Sequence, residues 1–186
     1  MKKLISLLLC LCLLAFCACA AAETKTVTDF DDFTLETSVE VTKGEKNPST
    51  TLFSFLPLSA SGDLATNVNS VYLGPGPFAG ITAKGYSDAL RSQETALRTQ
   101  YSSAGITLDS LVMNDATDTE FWGLKAFEMD IEASGQNGTG TPFYLYQRQM
   151  VVFGDFGAYA FTVTASDKDV MKQVQEDLIA SITWKK

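Results

Sequence analysis

The side chains that offer chemistry in this sequence are carboxylates and aromatic rings, because the chain contains no histidine. Its four cysteines all lie before residue 20, inside an apolar segment. Catalysis by a Ser-His-Asp or Cys-His group is therefore excluded, and so are most zinc sites. Because transition metals prefer softer ligands than carboxylates, we expect no tight metal site, and no motif predicts a cofactor.

Carboxylates gather in two short stretches, at Asp29–Asp32 and in an expected acidic turn at Asn114–Glu120. Oxygen-rich loops bind calcium, but neither stretch has the spacing of a twelve-residue calcium loop. We therefore expect solvated loops, with weak calcium binding by Asp115, Asp118 and Glu120 as the alternative. Two carboxylates from distant strands would suffice for glycoside hydrolysis, although no motif indicates such a pair.

Aromatic residues are numerous for one end of a sheet, and they are Phe121, Trp122, Tyr144, Tyr146, Phe156 and Tyr159. Most of them are expected in the core, because large rings supply much of the area that folding buries. Those near loops could instead line a ligand groove or a partner patch. The candidates for such a patch are Trp122, Phe156 and Tyr144.

The stretch Asp63–Gly80 opens as a strand and ends in Gly74-Pro75-Gly76-Pro77. This loop only superficially resembles a phosphate cradle, since its prolines remove the amide donors that a phosphate needs. The strand carries Asn67 and Asn69. We expect both amides to pair with neighbouring backbone or loop groups, in preference to a ligand role, because buried polar groups need partners.

The first residues carry the pattern of a secretory signal peptide, with a basic start, an apolar run and small residues up to Ala22. We expect cleavage after residue 22 and a mature chain of residues 23–186 that forms one domain. Alternatives are an uncleaved membrane anchor and a bacterial lipoprotein lipidated at Cys17 or Cys19. Without lipidation we expect no membrane attachment, and the protein would be secreted or otherwise extracytoplasmic.

The mature chain is acidic. The full sequence has a net charge of −8, and removal of Lys2 and Lys3 makes the remainder more negative. An acidic surface repels phosphate backbones and anionic lipid headgroups. Nucleic acid is therefore not an expected partner.

Hydrophobic periodicity predicts several strands and two helices. Apolar residues at odd positions over 33–41 indicate a half-buried strand that follows a frayed polar segment, residues 23–32. Further strands are expected at 51–56, 106–112, 121–133, 143–153 and 158–164.

The first helix is expected over residues 83–103, with Thr82 as its N-cap and Gly105 as its stop. A second should begin at a capping box formed by Ser166 and Asp169. Its apolar stripe runs through Val170, Val174, Leu178 and Ile182.

The strand expected at 143–153 carries apolar residues on both of its faces. A sheet that is apolar on both sides must be covered on both sides, here by the two helices. Because short turns join successive strands, the sheet should be antiparallel. The predicted fold class is thus α+β, an antiparallel sheet flanked by helices.

Five stretches carry a resemblance to a known family: "ATNVNSVYL", "YSDALRSQETALRTQY", "GLKAFEMDIEA", "FYLYQRQMVVFGDFGAYAFTVTA" and "IASITW". In their order, spanning Asp63–Trp184, the chain resembles the PsbP-like family. That family includes a photosystem extrinsic subunit, a Ran-binding nuclear factor and small exported bacterial proteins such as DcrB. The resemblance implies an α/β/α sandwich, and none of the five stretches is a catalytic motif.

We therefore expect an exported, non-enzymatic binding or accessory module at the bacterial cell surface or outside the cell. Its partner would be an unidentified protein or small molecule. The alternative is a hydrolase that uses paired carboxylates. One fold hosts many functions, so the resemblance does not decide between the two.

Overall fold

A computed structural model of the chain describes residues 25–48, 50–55, 66–76, 78, 80–103 and 105–185. The expected signal segment, with Cys17 and Cys19, lies outside these residues. Within them, no helix has the length and apolar character needed to cross a membrane.

The strands are short at the start of the chain and long in its second half. They are β1 (Thr26–Asp29), β2 (Phe33–Thr37), β3 (Thr42–Lys43), β4 (Thr50–Phe55), β5 (Asn67–Gly74), β6 (Thr107–Met113), β7 (Thr117–Phe121), β8 (Leu124–Gln136), β9 (Pro142–Gly154), β10 (Gly157–Ala165) and β11 (Ile182–Trp184). The helices are α1 (Ala83–Arg91), α2 (Glu94–Ser103) and α3 (Lys168–Ser181).

Within the described ranges, eight strands form an antiparallel sheet in the order β3-β4-β5-β10-β9-β8-β6, with β7 also paired to β8. A smaller sheet has the order β1-β2-β11. The predicted α+β class and antiparallel sheet are confirmed.

The large sheet has two apolar faces because side chains alternate along each strand. The first, which we call the α3 face, packs Met150, Val152, Tyr159, Phe161 and Val163 in one core with α3. The second, the α1 face, packs Phe127, Met129, Ile131, Val151 and Ala160 in another core with α1 and α2.

The segment expected to be frayed is structured instead, and it helps to cover the α3 face. Residues Thr26–Asp29 form β1, and Phe30 is buried against Phe33 and Phe53. Phe33 and Leu35 of β2 are fully buried. The α3 face is therefore covered by the small sheet as well as by α3, a layer that the sequence patterns missed.

The first helix is broken where the sequence predicted continuity. Thr82 is its N-cap as expected, and its hydroxyl accepts a hydrogen bond from Gly85 N at 3.1 Å. At the break, the Ser92 hydroxyl donates to Ala89 O at 2.6 Å, and Gln93 N donates to Leu90 O in a tighter turn. The helical hydrogen bonds resume where Leu97 N donates to Gln93 O at 3.0 Å, so α1 ends at Arg91 and α2 begins at Glu94.

The last helix is capped by Asp167 rather than by Ser166. The Asp167 carboxylate accepts hydrogen bonds from Asp169 N at 2.8 Å and from Val170 N at 3.0 Å. A carboxylate at this position satisfies donors that the first helical turn leaves unpaired. The helix stops at Ser181, and Ile182 turns to extended backbone and pairs with Leu35 of β2.

The glycine-proline stretch ends β5 as predicted, and a second glycine explains how closely the strands meet there. Gly157 begins β10 with a φ of 109°, a region that favours glycine. A Cβ atom at Gly157 would lie 2.1 Å from the carbonyl oxygen of Gly74. Only a residue without a side chain permits this approach of β10 to β5.

Candidate functional site

Trp122, the first predicted patch residue, is a structural anchor in the turn between β7 and β8. Its φ of 55° and the 74° of Gly123 give the two-residue turn a left-handed backbone. The indole Nε1–H donates to Ile179 O at 2.8 Å, which satisfies a carbonyl at the end of α3. The prediction of an acidic turn at Asn114–Glu120 is wrong in part, because Thr117–Phe121 forms strand β7.

Phe156, the second predicted patch residue, lies in the turn between β9 and β10. Its ring stacks on Trp184 with centroids 4.5 Å apart and an interplanar angle of 10°. Its carbonyl oxygen accepts a hydrogen bond from the Tyr72 hydroxyl at 3.1 Å. Trp122 also contacts Trp184, with ring centroids 5.8 Å apart, so both residues belong to the aromatic core of the α3 face.

Tyr144, the third predicted patch residue, lies far from the other two. It faces the α3 side of β9 and pairs with Ser134, whereas Trp122 adjoins the opposite end of β8. By strand rise these ends of β8 are about 30 Å apart. Tyr144 is 64% exposed. The structure brings Trp122 and Phe156 together but not Tyr144, and a binding role for any of them stays a prediction.

Each acidic stretch contributes a carboxylate to an ion pair. Asp115 pairs with Arg91 at 2.6 Å, and Asp32 pairs with Lys46 at 2.6 Å while accepting a hydrogen bond from the Tyr159 hydroxyl. Burial, together with this carboxylate, raises the pKa of Tyr159. Among the described residues, no group of three acidic, histidine or cysteine side chains could hold a metal ion.

A polar network joins α3 to the sheet beneath it. The Arg148 guanidinium donates to both oxygens of Asp130, at 2.6 and 2.9 Å, and to Gln175 Oε1 of α3 at 2.8 Å. Gln175 in turn donates to Glu128 at 2.7 Å. These two carboxylates share one face of β8, but both are bonded to residues that fix α3 in place.

The α1 face contains a different arrangement, which we call the polar rows. In one row, Thr164 of β10 is the register partner of both Asn67 and Gln147. In the other, Thr162 is the partner of both Asn69 and Gln149. Side chains thus line up across β5, β10 and β9.

Each polar row becomes apolar at β8, where Ile131 pairs with Gln147 and Met129 pairs with Gln149. Polar side chains therefore cover the middle of the sheet, and apolar side chains cover its β8 side, close to α1 and α2.

Two adjoining cavities cover these rows, and together we call them the amide groove. The inner cavity, about 470 Å³, lies between α1, α2 and the sheet and is lined by Asn67, Leu90, Gln93, Leu97, Tyr101, Leu111, Met113, Ile131, Ala133, Leu145, Gln147, Gln149 and Thr164. The outer cavity, about 700 Å³, lies over β4 and β5 and is lined by Val39, Glu40, Thr42, Thr51, Ser54, Phe55, Asn67 and Asn69. Asn67 lines both.

The groove is almost uncharged. Of the described residues that line it, only Glu40 in the outer cavity carries a charge, and the inner cavity is lined by amides, hydroxyls and apolar groups. The chain as a whole has a net charge of −8. The acidic surface thus gives way here to groups that donate and accept hydrogen bonds without charge.

Gln147 and Gln149 both line the inner cavity, but their side-chain amides differ in their hydrogen bonds. The Tyr86 hydroxyl donates to Gln149 Oε1 at 2.8 Å, so this bond uses the oxygen of the amide and not its N–H groups. Burial raises the pKa of Tyr86 to about 12, so the phenol donates this bond at neutral pH and also in moderately alkaline solution. Within the described part of the chain, the Gln147 amide has no hydrogen-bond partner.

Sequence reasoning missed this site, although it noticed Asn67 and Asn69. The signal lies in alternate polar residues on three strands, namely Asn67 and Asn69, Gln147 and Gln149, and Thr162 and Thr164. Their alignment depends on the register between strands that are distant in sequence. Periodicity within one strand does not reveal that register.

Comparison with known proteins gives a structural likeness only. The fold is similar to the solution structure of cyanobacterial PsbP (CyanoP) from Synechocystis sp. PCC 6803, with a TM-score of 0.58 and 9% identity, covering 90% of this chain and 96% of that chain.

A crystal structure of a protein of unknown function from Pseudomonas aeruginosa matches with a TM-score of 0.36 and 12% identity, covering 82% of this chain and 90% of that chain. This second likeness is too low to carry an argument. No family model and no curated protein matches the chain. The chain has a PsbP-like fold, as its five sequence stretches implied.

Proposed function

We propose that this protein is an exported, non-enzymatic accessory module that binds an uncharged ligand, or an uncharged part of a partner, in the amide groove. The observation that carries the proposal is the pair of polar rows at the centre of the sheet. The signal-peptide pattern at the start of the sequence supports action outside the cytoplasm.

The position of the rows supports binding because a sheet fixes its side chains better than a loop does. Asn67, Gln147 and Thr164 stand on three adjacent strands, so their spacing is set by backbone hydrogen bonds. A cavity of about 470 Å³ is within the usual range for small-molecule sites, and such sites combine apolar walls with a few fixed polar groups.

The layers proposed here follow the α/β/α sandwich that the family resemblance implies. In this view α1 and α2 form one outer layer, and α3 forms the other together with the small sheet. The polar network of Arg148 supports a fixed position for α3. The groove would then lie against the layer made by the two shorter helices.

Binding is preferred to hydrolysis because of how the carboxylates are used. Glu128 and Asp130 lie close together, but Arg148 and Gln175 bond to them on the α3 face. The amide groove, in contrast, presents neutral amides and hydroxyls, which are weak acids and bases near neutral pH.

A thermal-shift screen of the exported protein against neutral and charged small molecules tests the proposal. We expect a neutral ligand to raise the melting temperature of the wild type, since binding to the folded state stabilises it. Gln147→Ala should reduce the rise, because it removes one hydrogen bond to the ligand. The matched control is Tyr144→Ala, on the same strand but the opposite face, which should retain it.

Two results would contradict the proposal. One is a ligand whose shift is the same in the wild type and in Gln147→Ala, which would place the binding site elsewhere. The other is a ligand that the protein cleaves with turnover, which would favour the hydrolase.

A further inference from the structure

We propose that the amide groove takes an uncharged amphiphile, with a hydroxyl-bearing head over the polar rows and a short aliphatic tail beneath α1 and α2. This inference rests on the proposed function and names the class of ligand. It follows from three properties of the groove: the order of its polar and apolar groups, the absence of charge at its inner end, and its width.

The head is assigned from the polar rows. Side-chain amides both donate and accept hydrogen bonds, as alcohol hydroxyls do, so the two groups pair in either direction. Asn67, Thr164 and Gln147 occupy three adjacent strands. With about 4.8 Å between strands, the row spans about 10 Å, which suits a polyhydroxylated ring rather than a single hydroxyl.

The tail is assigned from the apolar end of the same cavity. Leu90 and Leu97 approach from α1 and α2, and Leu111, Ile131 and Leu145 form the floor on β6, β8 and β9. Burying aliphatic carbons against these side chains contributes free energy in proportion to the apolar area removed from water. A head alone would leave this end of the cavity unused.

The charge of the ligand is restricted by the lining. Among the described residues of the inner cavity, none is acidic or basic. A carboxylate or ammonium group there would lose its water without gaining an opposite charge, which is strongly unfavourable. The geometry therefore favours a neutral amphiphile over a fatty acid.

The probes are octyl glucoside below its micellar concentration, glucose, octanoate, and a capped leucine peptide with neutral ends, each titrated by calorimetry. We expect octyl glucoside to bind, and glucose and octanoate to bind at least about tenfold more weakly. Glucose lacks the aliphatic tail, and octanoate lacks the hydroxyl-bearing head and adds an unpaired carboxylate. Gln147→Ala should weaken octyl glucoside about fivefold, the loss of one typical hydrogen bond.

Further variants guard against a general loss of structure. Thr164→Val keeps the volume of the side chain while removing its hydroxyl, and it should weaken the glycoside but not shift the melting temperature of the free protein. Leu97→Ala should weaken octyl glucoside but not the residual binding of glucose. Tyr144→Ala should change neither.

The outcomes separate the ligand class from the proposed function. If octanoate binds as tightly as octyl glucoside, or if the capped peptide alone binds through Gln147, the inference of a neutral amphiphile is wrong. The proposal that the protein binds a ligand in the amide groove would remain. If octyl glucoside binds equally to wild type and Gln147→Ala, the site assignment fails, and the amphiphile inference fails with it.

Discussion

The two faces of the eight-stranded sheet are built from alternate residues of the same strands, yet they differ in chemistry. On β9, Met150 and Val152 are fully buried in the aromatic core of the α3 face. Their neighbours Gln147 and Gln149 point to the other side and line the amide groove. The α3 face also places its charges in a bonded network around Arg148, whereas the groove is almost uncharged.

This difference indicates that one face of the sheet stabilises the fold and the other is available for recognition. The α3 face joins α3, the small sheet and the large sheet through packed rings, so most of the stability should come from there. The polar rows of the α1 face consist of amides and hydroxyls, so we expect them to contribute less to folding than the packed rings do. Side chains that contribute little to stability can be kept for recognition.

The largest expected effect is on the α3 face, from deletion of residues 181–186. The deletion removes β11, which contains the buried Ile182. It also removes Trp184, whose ring centroid lies 5.1 Å from that of Phe33 and 4.5 Å from that of Phe156. Trp184 is half-buried. Loss of a fully buried Trp costs about 3–5 kcal/mol and loss of a buried Ile about 2–5 kcal/mol, against a total stability of about 5–15 kcal/mol. We expect an unfolded or severely destabilised protein in thermal unfolding.

The matched control for this deletion is Thr183→Ala, which alters an exposed side chain of β11 and should leave the melting temperature nearly unchanged. A truncated chain with the wild-type melting temperature would show that the small sheet is dispensable. The contrast between the two faces would then be wrong.

Arg148→Met should have the next largest effect. It leaves Asp130 and Glu128 without their cation beneath α3, where the Arg148 side chain is 16% exposed. We expect a loss of about 2–3 kcal/mol in denaturant unfolding, below the value for a fully buried pair because water still reaches these groups.

Lys172→Met serves as its control, because Lys172 forms an exposed pair with Asp169 and should change stability by less than about 0.5 kcal/mol. Equal effects from the two variants would mean that the network does not fix α3.

A smaller effect is expected from alkaline pH on the α1 face. The pKa of Tyr86 is raised by burial from 10.0 to about 12, so the folded state favours the neutral phenol. This contribution is complete below pH 10 and is lost as the pH rises through 12. We expect a loss of about 1 kcal/mol at pH 11, and Tyr86→Phe should remove this part of the pH dependence.

Unfolding curves measured between pH 8 and pH 11 test this expectation, with Tyr144→Phe as a control at an exposed tyrosine. An identical alkaline loss in wild type and Tyr86→Phe would show that Tyr86 is ionised as readily in the folded chain as in the unfolded one.

The smallest expected effect on stability is that of Gln147→Ala, and it tests the contrast between the two faces most directly. Gln147→Ala should change the free energy of unfolding by less than about 0.5 kcal/mol, because the side chain lies in the groove and has no bonded partner among the described residues. Met150→Ala, on the same strand, removes a fully buried side chain and should cost about 2–5 kcal/mol. Comparable losses would contradict the division between the faces.

Much of the fold could be predicted from the sequence, and the exceptions have physical causes. The long strands β8, β9 and β10 are rich in β-branched and aromatic residues, so local preference and packing agree. The short strands β1, β7 and β11 were missed because they owe their structure to partners, as Trp184 does to Phe33. The break at Ser92 leaves the apolar stripe of the two helices in register, so helical periodicity does not report it.

The candidate site was predicted less well than the fold. Trp122 and Phe156 are predicted as patch residues because they are aromatic and lie near loops, and the structure places both in contact with Trp184. Asn67 was noticed, yet its row with Thr164 and Gln147 required the pairing of three strands. Such non-local register is decided by the packing of the whole sheet.

The small sheet also sets an order of events during synthesis. It joins β1 and β2, near the start of the described chain, to β11 at its end. A chain that emerges from its amino end must wait for Ile182–Trp184 before Phe33 and Leu35 gain their last partner strand. Until then these apolar side chains remain incompletely covered, and the core of the α3 face is complete only after the last strand has been synthesised.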